Sequence, residues 1–204
     1  MKEKIEIRTF PMEFRADGDV KKLVGYSAVF DQFSDDLGGF KEIIRKGTFA
    51  RTIIEDDVRA LFNHDEDYVI GRNRNGTLKL EEDDHGLKVE IIPPDTQFAK
   101  DLMTLIERGD INQMSFGFIT RKDQWDETDP NNIVRTLLDV QLWDVSPVTY
   151  PAFKQTSIGV RTAEEIYTEF RNIQLLRNQE TVTVSINNKR NRIKMYEKLI
   201  MKGK

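Results

Sequence analysis

Met114-Ser115-Phe116-Gly117-Phe118 is the most informative segment of the chain. Ser115 sits between apolar residues, as on a strand, within an extended segment from Ile111 to Thr120. It is not framed as Gly-x-Ser-x-Gly, the sharp strand-to-helix elbow of the α/β-hydrolases, so that fold is disfavoured. A serine hydroxyl becomes a useful nucleophile only when a neighbouring base takes its proton. The chain has two histidines and no cysteine, so the choice of base is narrow. Leu61-Phe62-Asn63-His64-Asp65 places His64 at the end of an apolar strand, whereas His85 lies in the acidic turn Asp83-Asp84-His85-Gly86. An acid follows downstream, Asp144 in Leu142-Trp143-Asp144-Val145-Ser146-Pro147-Val148, with Asp139 as the reserve in the same apolar stretch. Ser146 and Ser157 are the reserve nucleophiles.

Outward from this centre, apolar periodicity predicts strands at Ile5–Phe10, Leu23–Phe30, Glu42–Ile44 and Val58–Asn63. Asp65-Glu66-Asp67 is expected to break the last of these. Thr48 is a candidate N-cap for a short helix through Ile54. Asn75-Gly76 reads as a hairpin turn between Val69–Arg72 and Thr77–Glu81, and Leu87–Ile92 as a returning strand after Gly86. Asp95 or Thr96 caps a helix carrying Phe98, Leu102, Leu105 and Ile106 at helical spacing, stopped by Gly109. Arg121–Asn132, with Trp125, reads as a polar loop, and Ile133–Thr149 as one bent strand or two. Many strands and two helices predict a mainly β, α+β fold, an antiparallel barrel with helices packed outside.

Composition narrows the class. Charged residues make up 32% of the chain, which implies a heavily charged surface around a modest core. A net charge of −4 gives no reason to expect a nucleic-acid partner. Without cysteine there is neither a disulfide framework nor a thiolate zinc site. His64-Asp65-Glu66-Asp67 could be read as a hard-metal cluster, but consecutive strand residues point to opposite faces and converge poorly on one ion. No metal or other cofactor is expected. The N-terminal residues Met1–Glu6 lack a signal-peptide core, and no apolar run is long enough to cross a bilayer, so a soluble intracellular protein is expected.

Six stretches then carry a family resemblance: Lys46-Gly47-Thr48-Phe49; Leu61-Phe62-Asn63-His64-Asp65; Val69-Ile70-Gly71-Arg72; Gly86-Leu87-Lys88-Val89-Glu90; Gly109 through Phe118; and Trp143-Asp144-Val145-Ser146-Pro147-Val148-Thr149-Tyr150-Pro151-Ala152. In this order, from about Phe10 to about Arg161, they resemble the tailed-bacteriophage prohead protease family, the capsid maturation proteases of phage assembly. The resemblance implies a herpesvirus-assemblin-like β-barrel. It also implies a serine endopeptidase that cuts the major capsid protein and its scaffolding segment inside the assembling prohead, in the bacterial cytoplasm. Ser115 would be the nucleophile, His64 the base and Asp144 the third member, where the herpesvirus relatives use a histidine. Self-cleavage and a homo-oligomer stay open. The competing reading is a non-catalytic assembly protein that keeps the fold and binds coat protein.

Each residue also has a plain structural reading. Ser115 can be a small strand residue, His64 a satisfied strand-end histidine, and Asp144 a carboxylate with a backbone partner. Gly117 either lets a substrate backbone approach or bends a barrel strand. The expected division is a barrel domain over residues 1–161 and a C-terminal segment over 162–204. In that segment Thr162-Ala163-Glu164-Glu165 opens a helix whose apolar face carries Ile166, Phe170 and Ile173, ending near Arg177. Val182, Val184 and Ile186 suit a strand, and a basic run from Lys189 to Lys204 follows. In the family that the chain resembles, terminal segments often target the enzyme to the prohead or are removed by self-cleavage. The resemblance implies such a role for this segment, which lies past its matching stretches.

Overall fold

A computed structural model of the protein describes residues 5–11, 15–17, 22–150 and 164–176. Contacts divide the chain into two units, Met1–Ala163 and Glu164–Lys204. The described part of the second is a helix over residues 164–176, with Ile166 buried and Ile173 exposed. Thr162, Ser157 and the predicted elements beyond Arg177 lie outside the described residues.

The first unit is mostly strands with short helices. In chain order these are β1 (Glu6–Pro11), β2 (Arg15–Asp17), β3 (Lys22–Val29), β4 (Lys41–Ile44), α1 (Ala50–Glu55), β5 (Arg59–Phe62), β6 (Asp65–Arg72), β7 (Leu78–Glu82), β8 (Gly86–Ile91), α2 (Gln97–Glu107), β9 (Gln113–Asp126) and β10 (Val134–Val148). One sheet runs β1-β9-β10-β5-β6 with β4 also on β10, and the other runs β2-β3-β8-β7. Among the described residues the ladders form these two sheets and no closed barrel.

The strands are mainly antiparallel, as expected, with two exceptions: β10 pairs parallel with both β4 and β5. Two short strands share one edge of a long one, β4 along Val134–Leu137 and β5 along Asp144–Val145. The chain returns between them through α1, the kind of crossover that parallel pairing demands.

Both sheets contribute to one core. Leu23, Ala28, Leu87, Val89 and Ile91 come from the smaller sheet, and Ala60, Ile70, Met114, Phe116, Phe118, Leu137, Val140 and Val145 from the larger. Phe116 is the hinge of an aromatic group, edge-on to Phe49 at 5.5 Å and stacked near Phe118 at 4.9 Å. Burying each ring contributes about 1.5–3 kcal/mol. Helix α2 adds Leu102, Met103 and Ile106, one stripe of an amphipathic helix. Its start was legible: Thr96 accepts from the Ala99 amide at 3.3 Å. So was its stop, Gly109 at φ +81°, a conformation glycine adopts without a Cβ penalty.

Four local expectations change. Thr48 does not cap α1, which begins at Ala50 behind Phe49; its buried hydroxyl lies 2.6 Å from the Arg45 carbonyl and 2.9 Å from that of Leu137. Asp65–Asp67 do not end a strand but begin β6, because Asn63 and His64 form the two-residue turn themselves. Asn75-Gly76 makes no hairpin: β6 stays in the larger sheet while β7 joins β8 in the other, so the turn carries the chain between sheets. Arg121–Asp126 are strand rather than loop, since β9 pairs with β10 as far as Asp126.

That extension of β9 serves a buried ion network. Arg135 reaches Glu6 at 2.6 Å, Asp123 at 2.7 Å and Glu42 at 3.0 Å. Arg8 reaches Glu42 at 2.7 Å and Glu6 at 3.1 Å. The Arg135 guanidinium also lies over Trp125, which packs on Phe40. Burial alone disfavours the charge on Arg135, but Glu42 and Glu6 hold it well above the ordinary arginine range. Burial likewise works against the Glu6 carboxylate, and Arg135 overrides it, drawing Glu6 below the usual range. The network fastens β1 to β4, β9 and β10.

Candidate active site

Ser115 is on β9, a strand paired on both sides. Met114, Phe116 and Phe118 turn into the core; the two-residue period sends Ser115 and Gly117 to the other face. In register, Ser115 is flanked by Thr9 on β1 and Ser146 on β10, and Gly117 stands opposite Asp144. The β9–β10 register slips between Leu142 and Asp144, and the intervening Trp143 is pushed out, 44% exposed, while Val145 stays buried. Behind this bulge Asp144 is directed onto the serine face.

His64 arrives from the neighbouring hairpin. Strand β5 runs parallel to β10, and beyond Phe62 the chain turns back through Asn63 (φ +54°) and His64 (φ +58°). Two positive φ angles in a two-residue loop suit a tight hairpin of right-handed strands. Asparagine tolerates this conformation well; for histidine it costs about 1 kcal/mol. The tip is held to the end of β10: the Asn63 amide donates to the Pro147 carbonyl at 3.0 Å and the Thr149 amide to Asn63 Oδ1 at 2.9 Å.

The result is a line of three side chains. His64 Nδ1 lies 2.7 Å from Asp144 Oδ2, and His64 Nε2 lies 2.7 Å from Ser115 Oγ. A carboxylate facing Nδ1 places the ring proton there and leaves the Nε2 lone pair toward the hydroxyl. Ser115 Oγ is also 2.9 Å from the Arg8 carbonyl and 3.2 Å from Thr9 Oγ1. A hydroxyl has one proton, so His64 Nε2 and the Arg8 carbonyl are alternative acceptors. With the proton toward Nε2, the arrangement can pass it to the imidazole as the oxygen attacks a carbonyl.

The other candidates stand elsewhere. Asp139 accepts from Arg51 Nε at 3.2 Å, part of an ion pair at the surface end of α1. His85 packs its ring edge-on against Tyr26 in the β7–β8 turn. Ser146 directs its hydroxyl to Asp144 at 2.6 Å rather than to a histidine. Asp65, Glu66 and Asp67 are exposed on β6. Gly117 has a different reason from either expected: a Cβ there would meet Asp144 Oδ1 at 2.4 Å. Thr9 and Arg8 were missed because β1 meets β9 only in the folded sheet; the alternation of Ile5–Phe10 was the sole available signal.

Residues 10–169 match the caudovirus prohead serine protease family. The chain belongs to that family. Its match covers well over half the chain and ends eight residues beyond Arg161, where the motif resemblance stopped. The prohead protease of Enterobacteria phage HK97 is 25% identical over 167 residues, covering 80% of this chain and 70% of that one. No solved structure matches the chain. Membership of the prohead protease family makes the protein a serine peptidase with a part in phage capsid maturation. Among the described residues, no helix is long and apolar enough to cross a membrane.

Proposed function

We propose that the protein is an endopeptidase in which Ser115 attacks the scissile carbonyl, His64 takes and returns the proton, and Asp144 supports the imidazolium. The observation that carries this reading is the unbroken line Ser115 Oγ, His64 Nε2, His64 Nδ1, Asp144 Oδ2, with both contacts at 2.7 Å. The carboxylate holds the ring in the tautomer that accepts from serine and offsets the positive charge as it forms. A retained fold used only as scaffolding has no need of this line, which disfavours the non-catalytic alternative.

The substrates in this reading are the major capsid protein and its scaffolding segment, cut inside the assembling prohead in the host cytoplasm; the family and the HK97 relative support it. Self-cleavage and a homo-oligomer belong to the same proposal. So does a herpesvirus-protease-like barrel, supported by two sheets that share one core. The catalytic domain is assigned to residues 1–161 and targeting to 162–204.

The test is co-expression with the cognate major capsid protein and intact-mass measurement of both chains. Defined fragments of the capsid protein are expected with the native enzyme and none with Ser115→Ala. Undiminished cleavage by Ser115→Ala overturns the reading. Shortening of the protease itself in the same spectra reports self-cleavage.

A further inference from the structure

We infer that Ser146 is a positioning residue for Asp144, acting through the carboxylate without touching the reacting atoms. The inference rests on the triad reading above. Asp144 and Ser146 are two residues apart on β10 and so share a face, in register with Gly117 and Ser115 of β9. Ser146 Oγ donates to Asp144 Oδ2 at 2.6 Å, the short distance typical of a hydroxyl on an ionised carboxylate. The same oxygen faces His64 Nδ1 at 2.7 Å. Two donors converging on one oxygen leave the carboxylate a single orientation, with Oδ2 aimed at the imidazole.

Burial gives the contact its weight. Ser146 is 0% exposed and Asp144 3% exposed, so bulk water does not take over when the hydroxyl is removed. A buried carboxylate that loses a donor bears the full cost of the missing bond. Asp144 then turns or shifts, and the imidazolium formed during proton transfer loses part of its support. Ground-state binding of a substrate should be unchanged, because the Ser146 hydroxyl is buried and engaged by Asp144.

The experiment is kinetic labelling of the full-length protein by a fluorophosphonate probe, followed by intact mass. In Ser146→Ala the maximal labelling rate is expected to fall roughly ten- to a hundredfold, the loss of one hydrogen bond to a charged group. The half-saturating probe concentration should stay constant. Ser146→Cys, of similar size with a weak S–H donor, should recover part of the rate and carries the test if the alanine variant does not fold. In an Asp144→Asn background, Ser146→Ala should cost little more, since the two act through one group. Native labelling rates in both Ser146 variants, or full additivity with Asp144→Asn, overturn the inference. Ser115→Ala separates the two failures: if it stays unlabelled while Ser146→Ala labels normally, only the positioning role falls. If Ser115→Ala labels too, the triad reading falls and this inference with it.

Discussion

Gly117 stands directly across from Asp144, and the space that a Cβ would fill at Gly117 is held by the Asp144 carboxylate, 2.4 Å away. The glycine beside the serine is therefore required by the acid. Gly117→Ala should displace the carboxylate from His64 while leaving the strand ladder intact. A misplacement on the order of 1 Å can cost about a hundredfold in rate. Labelling by a fluorophosphonate should slow by about that factor with a melting temperature close to native. A native labelling rate would mean that Asp144 has room to retreat without consequence.

On the proposed triad, Ser115→Ala and His64→Ala should be equally inactive toward capsid protein, because a nucleophile and its base act as a unit. His85→Ala should behave as native, since that ring packs on Tyr26. Activity lost in His85→Ala and kept in His64→Ala would reverse the assignment.

Asp144→Asn should lower the rate by roughly a hundred- to ten-thousandfold, as in other triads where the acid loses its charge. Asp139→Asn should leave activity intact and lower stability by at most about 1 kcal/mol, because its partner Arg51 is 35% exposed. Labelling rates and urea midpoints of the two variants separate these effects.

The ion network predicts acid sensitivity. Glu6 titrates below the ordinary glutamate value when folded, so its contribution is complete above that value and is lost as pH falls through the lowered one. Urea midpoints should therefore drop steeply in that acid window, and less steeply in Glu6→Gln. Arg135→Met removes the shared cation and leaves Glu6 and Glu42 buried against it; a loss of about 3–5 kcal/mol at neutral pH is expected. A near-native midpoint for Arg135→Met would show that Arg8 alone can satisfy both carboxylates.

Local order was legible in the chain. Alternation identified β1 and β8, Thr96 and Gly109 bracketed α2, and the motif around Ser115 together with His64 and Asp144 offered the three candidates that the fold brings together. Caps, turns and apolar periods act between near neighbours, so one sequence displays them. Tertiary structure decided the rest. His64 lies 51 residues from Ser115 and 80 from Asp144, and strand order and register alone bring the three into line. The same register made Ser146 the partner of the acid, placed Thr9 and the Arg8 carbonyl on the serine, and gave Gly117 its reason. Arg135 lay unremarked in the stretch Ile133–Thr149, and Trp125 in a segment read as a loop. Their meaning depended on carboxylates from β1, β4 and β9. A charge can stay in a core only where distant strands supply its partners, and nothing in the residues beside it reports which strands those are.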